Sequence, residues 1–283
     1  MPVNLPPLDV RALLRRYGLK PDKGLGQNFL VDQDALAGIV AAAAVTPDDD
    51  VLEIGPGLGS LTRLLAANAR QVTAVELDER LLPALRLVLA DFANTRLVQG
   101  DILRLNPAEL MPSSGYQVVA NIPYYITSAV FRHLLEAPVR PRNITLTIQQ
   151  EVAERITAQP GDMSLLAVSV QVYGAPRLAL RLPAAAFYPA PKVDSAVVVT
   201  ELFAEPAVPP EELKLFFQVV KAGFSQKRKT LRNALSAGLR LAPAETAALL
   251  ASVELDPQQR AETLAVADWA RLASAYAQLT PPA

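Results

Sequence analysis

From Asp50 to Ile156 two kinds of apolar pattern are interleaved, and this alternation constrains the fold more than any other feature. Short runs rich in Val, Ile and Leu ("DVLEIG", "QVTAVEL", "TRLVQGD", "YQVVAN", "NITLTI") are separated by stretches with helical apolar spacing ("LGSLTRLLAANA", "DERLLPALRLVLA", "SAVFRHLLE") and followed by "QQEVAERITA". Strands that are apolar on both faces and joined through helices make a mostly parallel sheet covered on both sides, an α/β fold of the Rossmann-like kind. Ligands of such sheets bind beyond the carboxyl ends of the strands. The residues at those ends are therefore the first candidates for function. Upstream, Leu8 to Tyr17 and Gln33 to Val45 have helical spacing, stopped by Gly18 and by Thr46-Pro47.

After Gly161 the pattern changes. The spacing predicts a helix in "MSLLAVSVQVYG", then strands in "RLALRL" and "SAVVVTELF" with no helix between them, an antiparallel pair closing the sheet. The Pro-rich "AEPAVPPEEL" marks a boundary near residue 205, and the remainder is helical. The expected organisation is an α/β domain over 1–204, with 1–30 as an N-terminal segment, and a small helical domain over 205–283.

Composition narrows the chemistry. The chain is 51% hydrophobic and 19% charged, a globular balance. The absence of cysteine excludes disulfides, thiolate metal sites and a cysteine nucleophile, and a single histidine, His133, argues against a histidine metal site or triad. The longest apolar stretch, Ala35 to Val45, is far short of the ~20 residues of a membrane span, and no secretory signal pattern opens the chain. A cytoplasmic, metal-free protein without membrane contact is expected. The net charge of −1 conceals an asymmetry: no acid falls between Glu212 and Glu245, where Lys214, Lys221, Lys227, Arg228, Lys229, Arg232 and Arg240 lie.

"VLEIGPGLGSLT" places Gly55, Gly57 and Gly59 at the turn from the first strand of the series into its helix, where a ligand can approach the backbone. The dinucleotide fingerprint is G-x-G-x-x-G; here the spacing is G-x-G-x-G, with Ser60 in the last position. Glu76 ends the next strand and suits the hydroxyls of a ribose; Asp101 ends the third and suits an exocyclic amine such as that of adenine. Alone, the glycine turn fits a tight connection equally well, and each acid is better read as a solvated strand end. Together, at successive strand ends, they match S-adenosylmethionine-dependent methyltransferases.

The fourth strand leaves through "NIPYY". An exocyclic amine on a base is a poor nucleophile because its lone pair is delocalised into the ring. Acceptors on its N–H groups favour the pyramidal form and aim the lone pair. Asn121 offers a side-chain carbonyl and Ile122 a backbone carbonyl. Pro123 restricts the turn, and Tyr124 offers a face for a flipped-out base. No strong general base is required, since the amine sheds its proton after transfer.

The stretches "GLGQNFL", "VLEIGPGLGSLT", "VELD", "GDIL", "NIPYYIT", "QQEVAERI", "FYPAPKVDSAVV" and "FSQKRKTLRNAL", in this order over most of the chain, resemble the ribosomal RNA adenine N6,N6-dimethyltransferase family, in particular its bacterial small-subunit members. The resemblance implies that Gln27, Asn28 and Leu30 lie near the methionine end of S-adenosylmethionine. It implies further that Gly55 and Gly57 approach the cofactor, that Glu76 and Leu77 hold the ribose side, and that Asp101 and Ile102 hold the adenine. Asn121 would sit between cofactor and target amine, with Phe187 stacking on the base opposite Tyr124. Lys221, Lys227, Arg228, Lys229 and Arg232 would engage RNA phosphates, helped by Arg11, Arg15, Arg16, Lys20 and Lys23. The implied substrate is a pair of adjacent adenosines near the 3′ end of 16S rRNA in an immature small subunit, met by a monomeric enzyme. "IP" stands after Asn121 where many relatives have "LP", a change that leaves the backbone carbonyl in place. Related alternatives are a large-subunit rRNA methyltransferase of the resistance type and an assembly factor that acts mainly by binding. The glycine spacing excludes a dinucleotide-dependent dehydrogenase.

Overall fold

The structure, a computed structural model, describes residues 5–111, 113–122 and 126–279, without the side chain of Ser128. It divides into two compact units. One runs to Ala153 and resumes over Arg177–Leu202; the other comprises Glu154–Pro176 and the chain from Phe203 onward.

The first unit contains, in chain order, α1 (Val10–Arg16), β1 (Phe29–Leu30), α2 (Gln33–Ala43), β2 (Asp50–Ile54), α3 (Ser60–Asn68), β3 (Gln71–Glu76), α4 (Leu82–Val88), β4 (Thr95–Gln99), α5 (Pro107–Leu110), β5 (Gln117–Asn121), α6 (Thr127–Leu135) and β6 (Asn143–Gln149). The chain leaves through α7 (Gln150–Ile156) and, after α8 (Leu165–Gln171), returns along β7 (Gly174–Leu182), β8 (Phe187–Tyr188) and β9 (Ser195–Leu202). Seven strands form one sheet in the order β4-β3-β2-β5-β6-β9-β7. β2 pairs in parallel with both β3 and β5, β3 with β4, and β5 with β6, whereas β9 runs antiparallel to β6. The chain thus winds outward from β2 through β3 and β4, then crosses back to β5 on the other side of β2. That reversal opens a crevice at the carboxyl ends of β2 and β5.

Several helices start where a short polar side chain satisfies a free backbone N–H. Asp9 accepts from Ala12 N, Asp32 from Ala35 N, and Ser164 from Ala167 N. One core packs α2 and α3 on the sheet through Leu36, Ile39, Leu65, Val51, Val72, Val119 and Val197. A second apolar cluster seats α1 through Val10 and Leu14 on Phe29, Leu58, Leu81 and Ala84. A two-residue ribbon, β1 with β8, pairs Phe29 with Tyr188 and Leu30 with Phe187. At the end of the sheet away from the crevice, buried Asp49 accepts from Thr46 N (2.8 Å), the Thr46 hydroxyl (2.9 Å) and Gln117 Nε2 (2.7 Å), and pairs with Arg142 at 2.7 Å. Burial works against its charge, but these bonds prevail and hold the carboxyl below its ordinary range.

The second unit holds α8 with α9 (Leu213–Phe224), α10 (Leu231–Leu239), α11 (Pro243–Ser252) and α12 (Val266–Leu279). Trp269 is fully buried at its centre, stacked near Phe224 and leaving no room for a side chain at Gly223. Residues 154–176, which the linear reading assigns to the α/β domain, pack with the helices instead. Gly161 N and Met163 N donate to the Glu262 carbonyl, Phe203 N to Tyr173 O, and Ala207 N to Val172 O. These bonds join segments far apart in the chain, so strand and helix periodicity gives no sign of them. The expected helix over "MSLLAVSVQVYG" and the two closing strands are present as α8, β7 and β9, with β9 between β6 and β7. Among the described residues no helix is long and apolar enough to cross a membrane.

Candidate active site

A cleft of about 280 Å³ lies in the first unit at the carboxyl ends of β2, β3, β4 and β5. The irregular segment Leu25–Leu30 lines it together with Gly100–Leu103, Asn121 and Ile122. Of the residues expected near a cofactor, Gln27, Asn28, Leu30, Gly55, Gly57, Glu76, Leu77, Asp101, Ile102 and Asn121 all line it.

The glycine turn is shaped by two demands. Gly55 and Gly57 have φ of +71° and +59°, which side chains adopt only with strain. A Cβ at Gly57 would also press on the Phe29 ring at 3.0 Å. The Gly57 N–H donates to Glu76 Oε2 (3.0 Å) and the Asp78 N–H to Glu76 Oε1 (2.8 Å). The Leu77 N–H also helps hold this carboxylate, which as a whole keeps lone-pair capacity for a further donor. Glu76 is 5% exposed, and burial raises its pKa despite these bonds. Leu77 beside it is 47% exposed, an apolar surface at the mouth of the cleft. Asp101 closes a local turn by accepting from Leu103 N at 3.0 Å, with Arg104 at 3.6 Å from its other oxygen; Ile102 beneath is buried.

Asn121 ends β5, and its Nδ2 donates to the Asn28 backbone carbonyl at 3.2 Å. A carbonyl only accepts, so this bond fixes which end of the amide is which. Oδ1 is then the acceptor end, and among the described residues no donor reaches it. Ile122 is buried behind it. Pro123 and Tyr124, expected to complete this turn, lie outside the described residues, as does Tyr125.

Gln27 and Asn28 line the cleft while also bonding within the protein, and Phe187 lies elsewhere. The Gln27 amide is engaged at both ends within the protein, with Nε2 donating to Asp78 Oδ2 (2.8 Å) and Oε1 accepting from Asp22 N (2.8 Å). Asn28 Nδ2 donates to Gly26 O at 3.0 Å. Phe187 does not line the cleft. Its ring belongs to the apolar cluster of Leu30, Leu36 and Val197 and is 4% exposed, because pairing with Leu30 in the ribbon turns it inward. No face of Phe187 is open to a base in this conformation. The basic residues lie in the second unit: Lys221 on α9, Lys227, Arg228 and Lys229 exposed between α9 and α10, and Arg232 partly buried on α10.

One cleft residue carries no assignment from the sequence, and His133 has the structural role its lone occurrence suggests. Glu53, the fourth residue of β2, lines the cleft at 1% exposure, and its Oε2 has no hydrogen-bond partner. Burial pushes its carboxyl up to about 8; the Thr62 hydroxyl lowers it and the nearby Glu76 raises it. The signal was present: an acid inside a strand buried on both faces needs a reason. His133 Nε2 lies 2.9 Å from the Leu105 carbonyl, so that nitrogen carries the proton and ties α6 to the loop bearing Asp101. Nothing in its local sequence announces this.

A sheet that reverses at β2/β5, a glycine turn, and acids closing successive strands define the Rossmann-like S-adenosylmethionine-dependent methyltransferases. The family model described as ribosomal RNA adenine dimethylase matches residues 18–278. The chain is 44% identical over 268 residues to ribosomal RNA small subunit methyltransferase A of Dehalococcoides mccartyi (strain CBDB1), covering 94% of this chain and 92% of the relative. It is 43% identical over 272 residues to the protein of the same name in Moorella thermoacetica, with 92% and 94% covered. Among solved structures, the 23S rRNA methyltransferase ErmE superposes with a TM-score of 0.72 at 33% identity, covering 88% of this chain and 99% of that one. A dimethyladenosine transferase from Plasmodium falciparum gives 0.72 at 24% identity over 86% and 95%, a likeness of fold. This chain belongs to the ribosomal RNA adenine dimethylase family, enzymes that dimethylate rRNA adenines with S-adenosylmethionine.

The cleft suits that cofactor on its own atoms. It offers a buried Glu53 carboxyl with one orphaned oxygen for a cationic group, remaining acceptor capacity on Glu76 for a hydroxyl, and Asp101 beside apolar Ile102 and Leu77 for an aminopurine.

Proposed function

We propose that this enzyme dimethylates the N6 amines of two adjacent adenosines in the hairpin near the 3′ end of 16S rRNA. In this reading it acts in the cytoplasm, as a monomer, on an immature small subunit. The observation that carries the chemistry is the orientation of the Asn121 amide, a residue lining the cleft, anchored through Nδ2 on Asn28 with Oδ1 meeting no donor among the described residues. When bound, S-adenosylmethionine supplies a methyl group on an electron-poor sulfonium. Asn121 Oδ1 takes one N–H of the target amine, and the Ile122 carbonyl takes the other while the amine still carries two. These bonds favour the pyramidal amine and aim its lone pair, a positioning effect worth orders of magnitude in rate. For the second methylation one N–H remains, and Asn121 alone suffices to orient it. The proton released by the methylated amine passes to water.

Tyr124 is assigned the flat surface that receives the extruded base. Phe187 is assigned the second face, for which arrival of the RNA must first uncover a ring that packs against Leu30 in the free protein. Lys221, Lys227, Arg228, Lys229 and Arg232 are assigned to phosphate contact, a sequence-independent and salt-sensitive contribution. The small-subunit substrate is supported by the curated relatives at 44% and 43% identity, both named for that subunit. The 23S enzyme ErmE, at 33%, resembles the chain less, and the large-subunit reading is not favoured. Incubation with labelled S-adenosylmethionine and small subunits from a strain lacking this modification tests the proposal. Absence of N6,N6-dimethyladenosine in their 16S rRNA would refute it.

A further inference from the structure

The wall of the cleft formed by Leu25–Leu30 has almost no regular structure before the short strand β1, yet it is held in one place. Its attachment runs through a residue that does not itself line the cleft. Arg80, just after β3, donates from Nε to Asp78 Oδ1 (2.7 Å) and from Nη2 to Asp78 Oδ2 (2.7 Å). The same Nη2 reaches Asp22 Oδ2 at 3.0 Å, across 58 positions of sequence. Asp22 in turn accepts from Gly24 N and Leu25 N on its other oxygen, shaping the turn that leads into the wall. Gln27 closes the ring, bridging Asp22 N and Asp78 Oδ2. At the far end the Asp78 N–H donates to Glu76 Oε1, the carboxylate facing the cleft.

We infer that Arg80 is a positioning residue, a latch that holds the 22–30 segment over the cofactor cleft and against Glu76. This rests on the reading of that cleft as the S-adenosylmethionine site. An isolated surface ion pair contributes little, but this one differs in kind. The guanidinium grips Asp78 in a two-point fork, and Asp78 is only 6% exposed. Two carboxylates from distant segments share one cation, so the pair exists only when the wall is in place. The Asp22 end is the more exposed and therefore the more strongly screened by salt; the Asp78 end, with its carboxylate buried, is screened less. Opening of the wall should accordingly be salt-sensitive in a way that depends on Arg80. Lysine cannot replace it fully, since an ammonium lacks the fork that spans both oxygens of Asp78 and still reaches Asp22.

The test measures S-adenosylhomocysteine binding by calorimetry together with hydrogen exchange of the 22–30 amides. Arg80→Ala is expected to weaken binding about tenfold and to lower protection in 22–30, with Arg80→Lys intermediate. The KM for S-adenosylmethionine should rise while kcat at saturation stays within about twofold. Affinity should fall with added salt in the wild type and lose most of that dependence in Arg80→Ala. Arg70→Ala removes a comparable exposed fork to Asp50 at the opposite end of β3 and should change none of these. If Arg80→Ala fails to fold, Asp22→Asn, which loosens only the exposed end, must still raise the Kd about threefold. Wild-type affinity and unchanged protection in a folded Arg80→Ala or Asp22→Asn would overturn the latch alone. Failure of the wild type to bind S-adenosylhomocysteine would overturn the cofactor reading as well.

Discussion

Replacing Glu53 by glutamine separates the stability of the free protein from its hold on a cationic cofactor. The carboxyl is 1% exposed, with one oxygen unpartnered, and burial raises it from an ordinary 4.5 to about 8. A group whose folded pKa lies above its unfolded value contributes its full stability below pH ~4.5 and loses it as pH rises through the folded value. Between pH 6 and 8 the wild type should lose roughly 2 kcal/mol on this account, at 1.36 kcal/mol per pKa unit. Glutamine has nearly the same shape and no charge to neutralise, so Glu53→Gln removes that slope. For a protein of this size the difference is about 4–8 °C in Tm, with the variant gaining on the wild type as pH rises.

Binding of a cation reverses the balance at Glu53. An adjacent positive charge lowers a carboxyl by about 1–3 units; with a shift of about 2, binding at pH 7 releases roughly 0.8 proton from Glu53. Affinity then tightens about fivefold from pH 6 to pH 7, a range in which the cofactor's own amine stays protonated. Calorimetry of S-adenosylmethionine binding in two buffers of different ionisation enthalpy reads the proton count directly. Glu53→Gln should melt higher at pH 8, release fewer protons and bind more weakly. Equal proton release and parallel melting profiles in both proteins would show that Glu53 is not a neutral buried acid, and the reasoning would fail.

Asn121→Ala should lower methyl transfer by at least about a hundredfold while S-adenosylhomocysteine affinity changes by less than about tenfold; retention of near-normal turnover would remove the lone-pair account. Phe187→Leu keeps the apolar filler beside Leu30 and deletes the aromatic face, so it should leave Tm within about 2 °C yet raise the KM for RNA; an unchanged KM would limit Phe187 to packing. Replacing Lys227, Arg228 and Lys229 together by alanine should weaken RNA binding and reduce the slope of log K against log salt by about 2–3, as read by filter binding over a salt series. The lowered pKa of Asp49 means that its contribution is present above its unfolded value and is lost as pH falls through its lower folded value. Arg142→Ala should therefore cost about 1 kcal/mol at neutral pH and move acid unfolding, followed by circular dichroism, to higher pH.

The parts of this enzyme legible in its sequence are those whose determinants are local. Strand and helix periods, the glycines at a turn that tolerates little else, and the acids at strand tips are each set within a few residues, and the sheet rule then says where they meet. Asn121, Glu76 and Asp101 could be placed at one cleft for that reason. The bonds between distant segments were decided by tertiary structure. The β1–β8 ribbon is two residues long on each side, too short for any period, yet it turns Phe187 inward. The hydrogen bonds of 161–163 to Glu262 move 154–176 into the helical unit. Arg80 became a candidate only once Asp22 and Asp78 were seen to share it. Glu53 stands between the two cases: its identity is written in β2, but its raised pKa comes from burial by neighbours on both faces of the sheet. The sequence by itself determined which groups the strand ends present, because backbone pattern and side-chain type are local properties. Which of them remain free to meet a ligand was decided by the folded chain, because a hydrogen bond to a distant partner consumes a donor or acceptor that the sequence alone leaves open.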